Sequence, residues 1–232
     1  ALARVPPPVA YLNPQQETLD LVFNLEAGPP VRLGEIELRG LDRVNESFVR
    51  NRLLVRAGDA FDPAAIERAR RDLLELNVFS AVAVSAGKAL DDSGRLPLTF
   101  DVQERPPRVL GLNGAWSTDL GGSLGANWSH RNLFGGAEQL NLSASAINLG
   151  GTATTGIGYN VRGQYIRPDF LQRDQSLEFR LGALKQSLEA YDQTAVLGGV
   201  FLNRKLSATW TGSVGVSLIQ QEITQQGLTR DY

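Results

Sequence analysis

The strongest constraint on this chain is an alternation of apolar and polar residues that recurs through its second half, over residues 108–220. Within residues 122–151 two alternating runs flank a turn rich in glycine and asparagine, the pattern of a β-hairpin with one apolar and one polar face. Leu124, Ala126 and Trp128 share the apolar face of the first run. Because the helical period of 3.6 residues never returns in this half, we predict an antiparallel sheet.

The length and composition of these runs favour strands that cross a membrane. Transmembrane barrel strands have about ten residues, apolar toward lipid and polar toward a wet lumen, and the apolar faces here carry alanine, glycine and leucine. A soluble β-sandwich or barrel, which would usually have bulkier core residues, is the alternative. We count seven strand-like runs: 108–118, 122–130, 138–148, 154–166, 175–186, 193–203 and 207–220. Since bacterial barrels close with an even number of strands, from about eight upward, we predict only the first part of an antiparallel transmembrane β-barrel, in residues 106–232.

Aromatic and charged residues in the runs agree with this interpretation. Trp128, Tyr165, Phe179 and Trp210 fall near the same end of the predicted wall and on its apolar face, as expected of an aromatic girdle at one membrane interface. Three charged residues fall on the polar face, which a water-filled lumen tolerates: Arg162, Glu178 and Arg180.

The composition disfavours several classes of function. The chain has no cysteine, one histidine and a net charge of −2, so thiol chemistry and a transition-metal site are not expected. A chain without a basic surface is also not expected to bind nucleic acid. No run of about 18 apolar residues is present, which argues against a transmembrane helix. The chain begins at Ala1 without a signal peptide, so we expect that its targeting segment has been removed.

One motif could indicate an enzyme. Residues 121–125, Gly-Gly-Ser-Leu-Gly, match the nucleophile elbow of hydrolases, which needs a strand, a sharp turn and then a helix. Here an alternating run follows, and the single histidine, His130, precedes any candidate acid in the order that such hydrolases use. We therefore predict that the protein is not an enzyme and has no catalytic residue, no bound metal and no cofactor.

An internal repeat organises the first half. Residues 19–34, LDLVFNLEAGPPVRLG, align without gaps to residues 96–111, LPLTFDVQERPPRVLG. Each copy is an alternating run followed by a diproline. We therefore expect residues 31–105 to form one complete domain, and residues 1–30 to hold the C-terminal strands of a preceding domain of the same kind.

Residues 31–105 have the pattern strand, helix, helix, strand, strand. Asn45 is placed to cap a short first helix, and Asp62 followed by Pro63 begins the second. An apolar stripe at helical spacing runs along the second helix: Ile66, Ala69, Leu73 and Leu76. This βααββ order predicts a small α+β domain.

Two of these features resemble a known family. Residues 128–140, Trp-x-x-Arg-Asn-Leu-Phe-Gly-Gly-Ala-Glu-x-Leu, are similar to the turn between the second and third barrel strands of the outer-membrane assembly proteins that carry periplasmic POTRA repeats, and are most similar to the TamA-like branch. The βααββ unit resembles a POTRA domain. The residues of the turn motif are Arg131, Asn132, Leu133, Phe134, Gly135, Gly136 and Glu138. The resemblance implies the outer membrane of a Gram-negative bacterium, with the POTRA part in the periplasm.

A strand-edged domain fused to a membrane barrel suits the handling of extended polypeptides, because a strand edge pairs with another chain through backbone hydrogen bonds. The predicted edge of the α+β domain contains Ser80, Ala81, Val82 and Val84. The predicted edge of the barrel is its first strand, with Val109, Leu110, Gly111, Leu112 and Gly114. The two glycines either weaken the seam that this strand forms or merely relieve crowding.

The resemblance implies an outer-membrane protein assembly and insertion factor. In that family the POTRA part receives unfolded barrel or autotransporter polypeptide by strand addition, and the seam between the first and last strands opens as a lateral gate into the bilayer. The implied partners are unfolded outer-membrane proteins or autotransporters, outer-membrane lipid, and an inner-membrane-anchored TamB-like protein. Two alternatives stay open: a polypeptide export pore of the two-partner secretion type, and an enzyme or passive porin with functional lumen residues.

Overall fold

The structure, a computed structural model, describes residues 5–13, 17–24, 30–225 and 228–231. Its helices are α1 (Glu46–Arg52) and α2 (Pro63–Glu75). The strands are β1 (Val9–Asn13), β2 (Thr18–Val22), β3 (Leu33–Arg39), β4 (Phe79–Ala86), β5 (Leu96–Glu104), β6 (Arg108–Ser117), β7 (Gly121–His130), β8 (Gln139–Gly150), β9 (Gly158–Arg167), β10 (Gln175–Ser187), β11 (Asp192–Lys205), β12 (Thr211–Gln225) and β13 (Leu228–Asp231). The predicted boundary near residue 30 falls partly on residues 25–29, which lie outside the described ranges.

The chain divides into two compact units. The first contains the described residues of Ala1–Leu41, Leu53–Glu75 and Ala81–Gln103. The second contains those of Asp42–Arg52, Leu76–Ser80 and Glu104–Tyr232. Helix α1 therefore groups with the long sheet of the second unit.

The first unit is built around β5. This strand lies in the middle of a three-stranded sheet of order β3-β5-β4 and pairs with β3 in parallel. The core lies between this sheet and α2: Leu33 of β3, Ala69 and Leu73 of α2, and Leu98 and Phe100 of β5 are each at most 2% exposed. At the start of α2 the Asp62 carboxylate accepts a hydrogen bond from the Ala64 amide (2.9 Å), so Asp62 caps the helix as predicted.

A separate hairpin is formed by β1 and β2. The two strands pair in antiparallel fashion from Val9 opposite Val22 to Asn13 opposite Thr18. In contrast to β5, the described side chains of β2 are all exposed.

The second unit contains one antiparallel sheet in which every strand pairs with its neighbour in sequence, from β6 to β13. The sheet has eight strands, so the count of seven was one short. The missed strand, β13, follows a glutamine-rich stretch that has no apolar alternation.

Two strand boundaries also differ from the prediction. Strand β9 begins at Gly158, and residues 151–157 form a turn. Strand β12 begins at Thr211, because the Ser207 hydroxyl accepts hydrogen bonds from the amides of Thr209 (3.2 Å) and Trp210 (3.1 Å) and so closes a turn. Alternating residues at a turn are indistinguishable from a strand by periodicity alone.

The cross-strand register gives the sheet a first face that carries most of its large apolar side chains and a second face with Glu178 and Arg180, where a few apolar residues such as Phe201 also lie. Large apolar side chains on the first face are exposed in strand after strand: Leu112 (79%), Leu124 (64%), Leu181 (68%), Val196 (58%) and Val216 (72%). Trp128 and Tyr165 are each two residues from the same end of the sheet, and Trp116 lies at the opposite end. Aromatic residues therefore occur at both ends, whereas the sequence indicated one. Among the described helices, neither has the length and hydropathy needed to span a bilayer.

Candidate functional site

Strand β6 is one end of the eight-stranded sheet. It pairs with β7 from Arg108 opposite His130 to Ser117 opposite Gly121, and its other edge has no partner strand among the described residues. The predicted residues Val109, Leu110, Gly111, Leu112 and Gly114 all lie in this strand. The side chains of Leu110 and Leu112 are 69% and 79% exposed. Strand β6 is therefore an end strand of the sheet among the described residues, and its pairing with another polypeptide stays a prediction.

The two glycines of β6 make room for specific side chains on β7. A Cβ atom at Gly111 would lie 2.8 Å from Nδ2 of Asn127, the residue directly opposite. A Cβ at Gly114 would lie 3.3 Å from a methyl group of its partner Leu124. A side chain at either position would require Asn127 or Leu124 to move, in agreement with the crowding explanation. The role of the two glycines in weakening the seam stays a prediction.

Strand β4 is an end strand of the three-stranded sheet, as predicted. The side chain of Val82 is buried, whereas those of Ser80 and Ala81 are exposed. Strand β4 could therefore pair with another polypeptide through its backbone, while the Val82 side chain stays in the core.

The motif turn, residues 131–138, is organised by two buried polar side chains. The Glu138 carboxylate accepts hydrogen bonds from the amides of Phe134 (3.1 Å) and Gly136 (3.0 Å). The Asn132 side chain accepts one from the amide of Ala137 (2.9 Å). Because Ala137 is held at a positive φ of 59° and is fully buried, the turn needs these bonds to keep its shape.

The same turn is bonded to the start of α1, within the second unit. The Asn132 amide group donates a hydrogen bond to the Arg43 carbonyl (2.9 Å). The backbone amide of Asn45 donates to the Gly135 carbonyl (2.9 Å), and its side chain donates to the Phe134 carbonyl (3.3 Å). Asn45 precedes α1 as predicted, and its side chain also fixes the motif turn.

The last residue of α1 is bonded to the next turn at this end of the sheet, residues 168–174. The Arg52 side chain is 8% exposed and forms ion pairs with Asp169 and, at 2.9 Å, with Asp174. Arg173 donates a hydrogen bond back to the Arg52 carbonyl (2.6 Å). Nothing in the sequence indicated this cluster. The only available signal was a charged turn in the charge-poor second half of the chain. That signal does not identify Arg52 as the partner, because Arg52 lies 117 positions before Asp169.

On the polar face, Glu178 is the centre of a hydrogen-bond network. Its carboxylate, 4% exposed, accepts hydrogen bonds from Arg180 of its own strand, from Gln164 of β9 and from Asn203 of β11. The Arg180 guanidinium also lies 4.5 Å from the ring centroid of Phe201. The network joins three strands on one face. Ser123 of the supposed nucleophile elbow lies inside β7, where there is no strand-to-helix turn.

Comparisons with known proteins agree with this architecture. The POTRA family model, described as "Surface antigen variable number repeat", matches residues 31–105. Two relatives are both described as "Outer membrane protein assembly factor BamA". The one from Neorickettsia risticii is 27% identical over 132 residues, 57% of this chain and 18% of the relative. The one from Neisseria meningitidis serogroup B is 25% identical over 168 residues, 67% of this chain and 21% of the relative. The chain thus spans about a fifth of the length of these relatives.

Solved structures share the fold at lower sequence identity. BamA from Haemophilus ducreyi lacking POTRA domains 1–3 superposes with a TM-score of 0.75 at 17% identity, over 96% of this chain and 41% of that one. CdiB from Acinetobacter baumannii gives 0.56 at 15% identity over 99% and 42%, and CdiB from Escherichia coli gives 0.58 at 15% identity over 99% and 44%. The predicted fold class is confirmed: residues 31–105 match the POTRA model, and the antiparallel sheet that follows has the fold of part of a BamA barrel.

Proposed function

We propose that this chain is part of an outer-membrane protein assembly factor, located in the outer membrane of a Gram-negative bacterium with its POTRA domain in the periplasm. The observation that carries the proposal is the order of the two parts: a stretch that matches the POTRA model, residues 31–105, precedes an antiparallel sheet whose apolar face is exposed, with Leu110 and Leu112 of β6 on that face. The printed description of the two relatives, an outer-membrane protein assembly factor, gives further support.

The energetics of a sheet edge connect β6 to this function. A strand edge that faces hydrocarbon leaves its backbone groups without hydrogen bonds, at a cost of several kcal/mol for each group. In the membrane β6 must therefore pair either with the last strand of a closed barrel or with another polypeptide. Exchange between these two partners is a lateral gate, through which β6 templates an unfolded barrel or autotransporter strand. The backbone of β4 supplies an earlier site of strand addition in the POTRA domain.

A cysteine crosslink tests the templating role directly. The chain has no native cysteine, and a disulfide forms only when the two Cα atoms are within about 7 Å. Leu112→Cys should crosslink in vivo to single cysteines in the terminal strand of a nascent outer-membrane barrel protein. Leu181→Cys is the matched control, because Leu181 lies on the same face and is 68% exposed but belongs to the interior strand β10.

The outcome separates the templating role from its alternatives. Crosslinks at β4 positions without any at Leu112 would contradict templating by β6. Equal crosslinking at Leu112 and Leu181 would indicate contact with the outer face of the sheet rather than strand pairing. A two-partner export pore predicts a third pattern, in which a passenger polypeptide crosslinks to a cysteine on the polar face, such as Ser143→Cys, and not to β6.

The finer assignment, to the TamA-like branch with an inner-membrane-anchored TamB-like partner and outer-membrane lipid, depends on the motif turn and stays a prediction. Purification of the full-length protein under mild conditions tests it. Recovery of a large inner-membrane-anchored protein in stoichiometric amounts supports the TamA-like assignment. Its absence from an active preparation of the full-length protein would contradict that assignment.

We further propose that β1 and β2 are the C-terminal strands of a second POTRA-type domain. The repeat places Leu19, Leu21 and Phe23 at the positions of Leu96, Leu98 and Phe100. The second set is buried, whereas the first set is exposed. The apolar face of the hairpin therefore needs packing partners equivalent to α2 and β3 of the complete domain. In the full-length protein, maleimide labelling of Leu21→Cys should then be slow until denaturant is added, and rapid labelling under native conditions would contradict the proposal.

A further inference from the structure

Helix α1 is bonded at both of its ends to turns of the eight-stranded sheet. At its start, Asn45 donates two hydrogen bonds to the turn between β7 and β8. At its end, Arg52 forms ion pairs with Asp169 and Asp174 of the turn between β9 and β10. All of these residues belong to the second compact unit. One short helix therefore connects two successive hairpins at the same end of the sheet.

The length of α1 matches the distance that it has to span. The helix has seven residues, which corresponds to about 10 Å at a rise of about 1.5 Å per residue. The two turns are two strand positions apart in the sheet order, which corresponds to about 9.5 Å at the usual spacing between strands. A helix one turn longer or shorter would not place both ends on their partners without bending the sheet.

The turn that receives Arg52 depends on outside bonds for its shape. Three of its non-glycine residues have positive φ angles: Asp169 (48°), Leu171 (64°) and Asp174 (61°). This conformation is unfavourable for leucine in particular, and it persists only where the surroundings enforce it. Within the turn, the Asp169 carboxylate accepts a hydrogen bond from the Asp174 amide (2.9 Å) while it pairs with Arg52. Arg52 therefore fixes both carboxylates and, through them, the backbone.

We propose that α1 is a clamp that sets the spacing of the β7–β8 and β9–β10 hairpins, and that Arg52 is its positioning residue. The two attachment points differ in chemistry. The attachment at Asn45 uses neutral hydrogen bonds, whereas the one at Arg52 uses a nearly buried guanidinium between two carboxylates. Loss of the Arg52 charge leaves Asp169 without its cation and leaves Asp174 with Arg173 alone. The second hairpin then keeps only the Arg173 bond to the Arg52 carbonyl and is loosened, while the first stays attached.

Spin labels on the two turns measure the spacing directly. Phe134 and Leu171 are 70% and 85% exposed, one in each turn, and the absence of native cysteine makes labelling at Phe134→Cys and Leu171→Cys specific. In the full-length protein, Arg52→Gln should at least double the width of the distance distribution between the labels. The matched control is Arg50→Gln. Arg50 is an exposed arginine of the same helix, and it forms an ion pair with Glu46.

Hydrogen exchange distinguishes the clamp from general destabilisation. In Arg52→Gln the amides of residues 168–174 should exchange at least ten times faster, while those of residues 131–138 and of β7 to β10 keep their native rates. Asp174→Asn removes one of the two ion pairs and should give an intermediate increase confined to the same turn. The proposal is overturned by an unchanged distance distribution in Arg52→Gln, by equal broadening in Arg50→Gln, or by faster exchange in both turns together.

Discussion

Strands β2 and β5 have closely similar sequences and opposite environments. Leu19 and Leu21 of β2 and Phe23 just after it are 58%, 52% and 63% exposed, whereas their counterparts Leu96, Leu98 and Phe100 are 6%, 2% and 0% exposed. Strand β5 lies between two other strands, and β2 pairs only with β1 among the described residues. The comparison teaches that alternation specifies which face of a strand is apolar, while burial depends on the elements that cover that face.

The largest expected difference concerns the phenylalanine of each copy. Phe100→Ala should lower the free energy of unfolding by about 3–5 kcal/mol, because it leaves a cavity in a closed core. In the 232-residue chain, Phe23→Ala should change the free energy of unfolding by no more than about 0.5 kcal/mol, since the ring is mostly solvated there. Denaturant titration of both variants measures the difference, and equal losses would mean that the hairpin is covered in solution.

Chemical accessibility gives the next largest effect. In the 232-residue chain, a cysteine at Leu98 should react with a polar maleimide about a hundred times more slowly than one at Leu21. The reason is that Leu98 is reached only when the domain opens. Labelling rates under native conditions, compared with rates in denaturant, test this. Similar rates would show that β5 is not held in its sheet.

Weakening helix α2, which packs against β5, should lower the free energy of unfolding by less. Asp62→Ala removes the carboxylate that caps α2 and should cost about 1 kcal/mol of unfolding free energy. Asp92→Ala, in an exposed turn, is the control and should stay within about 0.5 kcal/mol. The unfolding midpoints of the two variants provide the measurement. A loss in Asp92→Ala as large as that in Asp62→Ala would contradict a specific role of the cap.

The smallest effect is expected on the outer side of α2. A hydrogen bond from Arg70 holds the pKa of Glu67 below its ordinary value of 4.5. The stability that this pair adds is present above the ordinary pKa and is lost as the pH falls through the lowered one. Glu67→Gln should therefore reduce the unfolding midpoint slightly at pH 7 and leave it unchanged at low pH. We expect α2 to stabilise the domain mainly through its apolar side. A decrease of the unfolding midpoint at pH 7 as large as that of Asp62→Ala would contradict this expectation.

Most of the fold could be predicted from the sequence because the helix-start signals and the strand periodicity of these segments agree with the structures that they adopt in the folded protein. Asp62 and Pro63 begin α2 as predicted, and the strands β6, β7 and β10 lie within about one residue of their predicted limits. The errors occurred where periodicity carries no information, at the turn that Ser207 closes and at β13 after a run of glutamines. The edge position of β6 followed from its being the first strand of a consecutive series.

The candidate site was predictable only where it depends on one strand or one turn. The motif turn was recognised from its sequence, but its bonds to Arg43 and Asn45 join positions about ninety residues apart. The Arg52 cluster is equally remote in sequence, and arginine at the end of a short helix is ordinarily a solvated residue. Pairings of this kind are set by the packing of whole elements, which alternation does not encode.

By itself, the sequence determined the local order of helices and strands, the apolar face of most strands, and the place of β6 as the first strand of the sheet. These properties follow from residue spacing, which acts over a few positions. The tertiary structure decided which apolar faces are covered, which side chains lie opposite Gly111 and Gly114, and which side chains join α1 to the two turns. Those outcomes depend on contacts between residues far apart in the chain, because close packing and desolvation act on neighbours in space.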